Sequence, residues 1–259
     1  MQLQALLTSY LAQVEGGCPL TILYKATSER SRQAYNKLKT EFGRSTFIFL
    51  EETDFNQQVK IWLSMQSADR VFFLTDDAIF LDAFALADVF EFNPLNEIVS
   101  FTKGRDLLYC FTMDVKQELP AFLQEDIGGK GLNAWIWDSA PDSPDWSYPL
   151  SVDGHILLRE EMMCIANEIT FRNPNSLEAN MQLFKPFFLS RRGICYDKVK
   201  LVNIPCNLVQ SDFNNRSTGY YSSEELLQLW DEGKAIDVAK FYGLTAFEAE
   251  HSKYSFCTR

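Results

Sequence analysis

Leu3, Leu6, Leu7, Tyr10, Leu11 and Val14 recur at the spacing of one helical face, and Gly16 and Gly17 end the run. A short apolar stretch, 20–24, then reads as a strand. Residues 28–42 read as a helix with Tyr35, Leu38 and Phe42 on one side, 46–50 as a strand, 55–65 as a helix and 71–74 as a fully apolar strand. Helix and strand alternate, and continuous apolar strands between helices predict an α/β fold with a mostly parallel sheet covered on both faces.

Beyond Phe80 the rhythm changes. Strands are expected at 99–101 and 107–112, helices at 156–167 and 177–184, and a strand at 201–210 interrupted by Pro205. Residues 120–149 are rich in turn formers (Gly128, Gly129, Gly131, Pro141, Pro144), and so long a loop inside a compact domain points to function. A polar loop follows at 212–219. Ser222 or Ser223 then caps a helix running to Glu232, with Glu225 as the reciprocal arm of a capping box. The expectation is one domain over 1–259: a nucleotide-binding type of half to residue 98, an acceptor-side half over 99–221 and a helical segment over 222–259.

Composition narrows the function classes. A chain of 259 residues that is 46% hydrophobic can bury a sizeable core, so disorder is excluded. The formal net charge of -11 repels phosphate backbones and argues against nucleic acid as a partner. A bound divalent cation would still let an anionic ligand approach. The six cysteines show no C-x-x-C pair and no zinc spacing, so they read as buried free thiols of a reducing compartment. The N-terminal stretch lacks the basic region and cleavage site of a signal peptide, and no apolar run reaches membrane-spanning length. A cytoplasmic location is the expectation.

The chemistry centres on Asp76 and Asp77, placed where the apolar run 71–74 leaves the sheet. Open α/β folds bind ligands beyond the carboxyl ends of their strands. Two adjacent carboxylates repel, and Mg²⁺ or Mn²⁺ would hold both ionised while binding substrate phosphates. The plainer reading is a turn in which one Asp caps a helix and the other is solvated. Both fit the residues alone. A phosphatase-type nucleophile pair fits less well, because the Lys and further acidic motif that such chemistry needs cannot be placed.

The stretches 20–26 (LTILYKA), 72–80 (FFLTDDAIF), 148–155 (YPLSVDGH), 173–178 (NPNSLE) and 203–210 (NIPCNLVQ) occur in an order that resembles a bacterial family of GT-A-type glycosyltransferases, and the likeness covers nearly the whole chain. The resemblance implies transfer of a sugar from a nucleotide-sugar donor to a glycan or other hydroxyl acceptor, with inversion. It implies that Asp76 and Asp77 match the acidic motif holding Mn²⁺ or Mg²⁺ on the donor diphosphate. Lys25 and Thr27, at the end of the strand 20–24, are the candidate contacts to the nucleoside, with a helix cap at Thr27 or Ser28 the favoured plainer reading. One departure stands out: such domains open with a strand before their first helix, and this chain opens in what looks like that helix. That favours the alternative of a non-catalytic glycosyltransferase-like binding protein.

Asp153 lies where similar enzymes carry their acceptor-side acid, so it is the expected catalytic base. The competing reading makes it the N-cap of a helix starting near Ile156. His155 reads either as a further metal or phosphate contact or as a satisfied structural histidine. Trp135, Trp137, Trp146 and Tyr148 offer either a stacking platform for a sugar or anchors for the long loop. Asn203 and Asn207 flank Pro205 and, with 173–178, read mainly as structural.

Overall fold

The computed structural model describes residues 1–43, 46–204, 206 and 216–259. Asn207, half of the strand expected over 201–210 and the first part of the 212–219 loop lie outside them. The chain runs α1 (Gln2–Gln13), β1 (Val14–Glu15), β2 (Leu20–Tyr24), α2 (Glu29–Phe42), β3 (Phe47–Glu51), α3 (Phe55–Met65), β4 (Arg70–Val71), β5 (Ala78–Phe80), β6 (Phe84–Ala85) and β7 (Glu97–Ser100). It continues with β8 (Tyr109–Cys110), β9 (Val115–Lys116), β10 (Leu132–Ile136), β11 (His155–Leu158), α4 (Arg159–Glu168), α5 (Pro174–Met181), β12 (Arg192–Tyr196), β13 (Leu201–Asn203), α6 (Ser223–Asp231), β14 (Lys234–Ile236), α7 (Ala246–Glu250) and β15 (Phe256–Thr258).

Local chemistry sets many of these limits. Ser28, Asn173, Ser222 and Thr245 each accept a hydrogen bond from the third helical backbone N–H and complete a capping box, so α2, α5, α6 and α7 start where a side chain satisfies an otherwise free donor. Asp54 does the same for α3 without the reciprocal arm. The helix cap expected at Thr27 or Ser28 is therefore Ser28.

The fold is mixed α/β, and its main sheet corrects the expectation of mostly parallel pairing. Five strands lie in the order β10-β12-β7-β11-β4, and of those pairings β12–β7 alone is parallel. β2 and β3 pair in parallel as a separate two-stranded sheet, and β13 pairs antiparallel with β5. The alternation that suggested parallel crossovers holds only as far as β4. After it, β11 inserts between β7 and β4, antiparallel to both.

That insertion also corrects the helix expected from Ile156. Residues 155–158 are extended, and α4 begins at Arg159. His155, Ile156 and Leu157 are all buried, so the run has no polar side to mark it as a strand, and it merges into the helical pattern that follows. The expected strand at 71–74 is ladder-paired only at Arg70 and Val71, with Phe72, Phe73 and Leu74 half-buried beyond it. The turn-rich span 120–149 contains β10, an edge strand of the sheet.

The core is strongly aromatic. Trp135, Trp137 and Trp146 are fully buried and meet edge to face, with ring centroids 4.8 and 5.0 Å apart. They anchor the long segment to the core, so the sugar-platform reading of these three is corrected. α1 lies against β5, and Ser9 Oγ accepts the Phe80 backbone N–H at 3.1 Å, fixing the strand that leaves the acidic turn. No helix among the described residues is long and apolar enough to cross a membrane.

Candidate active site

Two backbone segments meet at the site. The first is 72–77, running from β4 into the turn that carries Asp76 and Asp77. The second is 148–154, which turns back towards the sheet before β11. They are stitched by the Gly154 N–H donating to Phe73 O at 2.8 Å, and Phe101 N–H donates to Gly154 O at 3.1 Å. Gly154 has φ +68°, and a Cβ there would stand 2.6 Å from Leu201 Cδ2, so the turn passes through a conformation and a gap that suit glycine. Because β11 follows directly, Asp153 caps no helix; its side chain is free for the site.

At the junction Thr75 Oγ1 lies 2.8 Å from Asp77 Oδ1 and 2.8 Å from Asp153 Oδ1. Asn203, at the end of β13, brings its amide nitrogen to 2.7 Å from Thr75 Oγ1 and 3.2 Å from Asp77 Oδ1. Thr75 has one hydroxyl proton, which can serve only one of the two carboxylates at a time. The other contact becomes a hydrogen bond only when that carboxyl itself carries a proton. The electrostatics agree. Burial first, then the charges of Asp76 and Asp153, push Asp77 up to about 7. Burial raises Asp153 as well, against the opposing pull of Asn203, Thr75 and the Lys103 ammonium.

Asp76 behaves differently. It is exposed to solvent, although many protein atoms surround it. Burial raises its pKa, offset in part by the Met1 α-amine and by its own backbone N–H. Tyr35 of α2 lies in the field of Asp76, and burial is the main cause that raises its phenol to about 12. The end of β2 reaches this side through Tyr24, whose ring centroid is 4.4 Å from that of Tyr35.

The other expected residues fall as follows. His155 is fully buried, with Nδ1 at 2.9 Å from Pro149 O and Nε2 at 3.4 Å from Thr102 Oγ1. Burial, with the Lys103 charge, lowers it to about 3, so the ring is neutral and donates from Nδ1. Both nitrogens are engaged, and the metal-ligand role expected of His155 is corrected to a structural one. Lys25 is exposed and pairs with Glu52 at 2.9 Å, while Thr27 is exposed beside the Ser28 cap. Neither is brought to the acids by any hydrogen bond or ion pair among the described residues. Tyr148 does reach the site, close enough to Glu178 and Asp153 for their charges to add to the burial that raises its phenol pKa.

Among the described residues no three His, Cys, Asp or Glu side chains converge as a metal-binding group. The donor set is two carboxylates. Among the described residues no side-chain hydrogen bond or ion pair holds Asp76, and Asp77 uses one oxygen, Oδ1, towards Thr75 and Asn203. A hard cation that takes one or two carboxylates and completes its shell with water and phosphate oxygens fits this set; an all-protein cage does not.

Sequence reasoning missed Thr75, Lys103 and the part played by Asn203 and Glu178. Glu178 Oε1 accepts from Ser151 Oγ at 2.7 Å and from Val152 N–H at 3.1 Å. Burial, then Asp153, raises Glu178 to about 7. Lys103 is buried, with Nζ 3.2 Å from Thr102 Oγ1. The motif neighbourhood was the available signal for Thr75 and Asn203, since each lies within a stretch already singled out. No protein-family model matches the chain, and no curated protein matches it.

Proposed function

We propose that the protein is an inverting glycosyltransferase that moves a sugar from a nucleotide-sugar to a hydroxyl acceptor, with Mn²⁺ or Mg²⁺ held by Asp76 and Asp77. The observation that carries this reading is the convergence of Asp77 and Asp153 on one threonine hydroxyl, beside the solvent-open Asp76. Asp76 and Asp77 would hold the cation, whose contribution is to offset the charge of the departing diphosphate. Asp153, anchored through Oδ1 by Thr75, offers its second oxygen to the acceptor hydroxyl. As the acceptor oxygen bonds to the anomeric carbon, its proton passes to Asp153, and the bond from that carbon to the diphosphate breaks with its electron pair leaving on phosphate. A base whose pKa is raised by burial is suited to that proton at neutral pH.

The test is thermal. Mn²⁺ with a nucleoside diphosphate at about 100 times its Kd should stabilise the fold by about 2.7 kcal/mol, a rise of roughly 5 °C in Tm. Asp77→Asn should remove that rise. Absence of any shift with uridine, guanosine, adenosine, cytidine or thymidine diphosphates would sink the reading. One observation favours a second reading, a glycan-binding protein without transfer. β2 and β3 form a sheet unpaired with the acid-bearing one, and Lys25 is committed to Glu52. On that reading carbohydrate binding is indifferent to Mn²⁺ and to Asp77→Asn.

A further inference from the structure

Nothing in the transfer step uses α5, yet one face of this helix is spent on the backbone of the turn that carries Asp153. Glu178 Oε1 accepts both the Ser151 hydroxyl and the Val152 N–H. Ser151 Oγ in turn accepts the Asp153 N–H at 3.1 Å. One helical turn on, Gln182 Nε2 donates to Leu150 O at 2.8 Å. Gln182 directly follows α5 and keeps right-handed helical backbone angles, so it lies one turn beyond Glu178 on the same side, and the two grip three successive residues, 150–152. The opposite side of the turn is held by Gly154 on Phe73. Asp153 therefore lies between two clamps, with its carboxylate on Thr75.

α5 also has anchors of its own. Asn173 and Ser176 form its capping box, Pro174 starts its first turn, and Leu177 and Met181 are buried. A carboxylate accepting two hydrogen bonds on one oxygen costs burial that a surface helix would avoid. Its placement is explained if the return is the geometry of the turn.

We propose that Glu178 is the positioning residue for Asp153: it acts through Ser151 and Val152, touches neither substrate nor metal, and holds the base against Thr75. The inference rests on the reading of Asp153 as the base, but its test does not. Amide hydrogen exchange, read residue by residue by NMR, compares the wild type with Glu178→Ala and Glu178→Gln. In Glu178→Ala the Val152 and Asp153 amides should exchange at least about tenfold faster, the loss expected for one hydrogen bond. Glu178→Gln keeps an acceptor oxygen in the same place and should return both to the wild-type rate. Titration of the wild type with Mn²⁺ alone is the separate check on the metal reading. Unchanged exchange at 152 and 153 in Glu178→Ala overturns the proposal. So does equal acceleration throughout α5 and β11, and so does a failure of Glu178→Gln to restore protection. Absence of Mn²⁺ binding from the wild type would count against the metal-dependent transfer alone, leaving the exchange comparison intact.

Discussion

At the scale of single residues the site is held in a state that opposes its own stability. Asp77 has an ordinary pKa of 3.8 and is raised to about 7 in the fold. Between those values the folded protein keeps a proton that the unfolded chain has released, so stability falls as pH rises through this window. Replacing Asp77 by Asn keeps an oxygen for Thr75 and Asn203 and removes the charge. Asp77→Asn should therefore melt higher than the wild type at pH 8, by a gain on the order of 2 kcal/mol once sharing with Asp76 and Asp153 and partial solvent access are allowed for. The gain should shrink towards pH 5 and be absent near pH 4, and melting curves at three pH values check it. A gain independent of pH would mean that Asp77 does not titrate in this range. Asp76 and Asp77 stand out in the sequence because two acids follow an apolar run, a pattern that a capped turn fits equally. Thr75 and Asn203 do not, because a threonine and an asparagine 128 residues apart become special only when the fold brings them together.

At the scale of elements the sequence is read correctly where a segment carries its own signals and wrongly where burial erases them. α3 and β2 fall within the expected limits, since each shows a clean period and flanking polar residues. The stretch 155–158 fails because both faces are covered, so its apolar run cannot be told from the first turn of α4. The same stretch decides the role of Asp153: as a strand it leaves the acid at a turn, whereas as a helix it would have consumed the acid as a cap. The turn itself is the constrained element. Gly154→Ala would force a Cβ onto φ +68° and against Leu201. The backbone cost of about 1–2 kcal/mol and a further ~1 kcal/mol of overpacking predict a loss of about 2–3 kcal/mol. Urea denaturation should show a lower midpoint at unchanged slope. A change within about 0.5 kcal/mol, the usual range for an unconstrained surface position, would show that the turn tolerates a side chain.

At the scale of the whole molecule the six cysteines offer a readout of both fold and site. Expectation placed them in the interior, and that holds for Cys110, Cys195 and Cys206; Cys18 is half-buried, and Cys164 and Cys257 are exposed. The thiolate is the reacting species, so burial suppresses reaction twice, by blocking access and by raising the pKa. Burial pushes Cys110 up to about 12 and Cys206 up to about 11, and it raises Cys195 too. A disulfide reagent on the native chain should thus modify Cys164 and Cys257 first and Cys18 more slowly, with the other three reacting only on opening. In denaturant all six should react. Cys206 carries the further information. It is buried within the field of Asp77 and Asp76, beside the end of β13 that brings Asn203 to the acids. Its slow reaction samples local opening of the site rather than global unfolding. Mn²⁺ with a nucleoside diphosphate should slow Cys206 while leaving Cys164 and Cys257 unchanged, measured by mass spectrometry of timed labelling. If Cys206 reacts as fast as Cys164 in the free protein, β13 is not docked on β5 as described. If labelling of Cys206 ignores the ligand while Tm rises, the ligand binds away from Asp77.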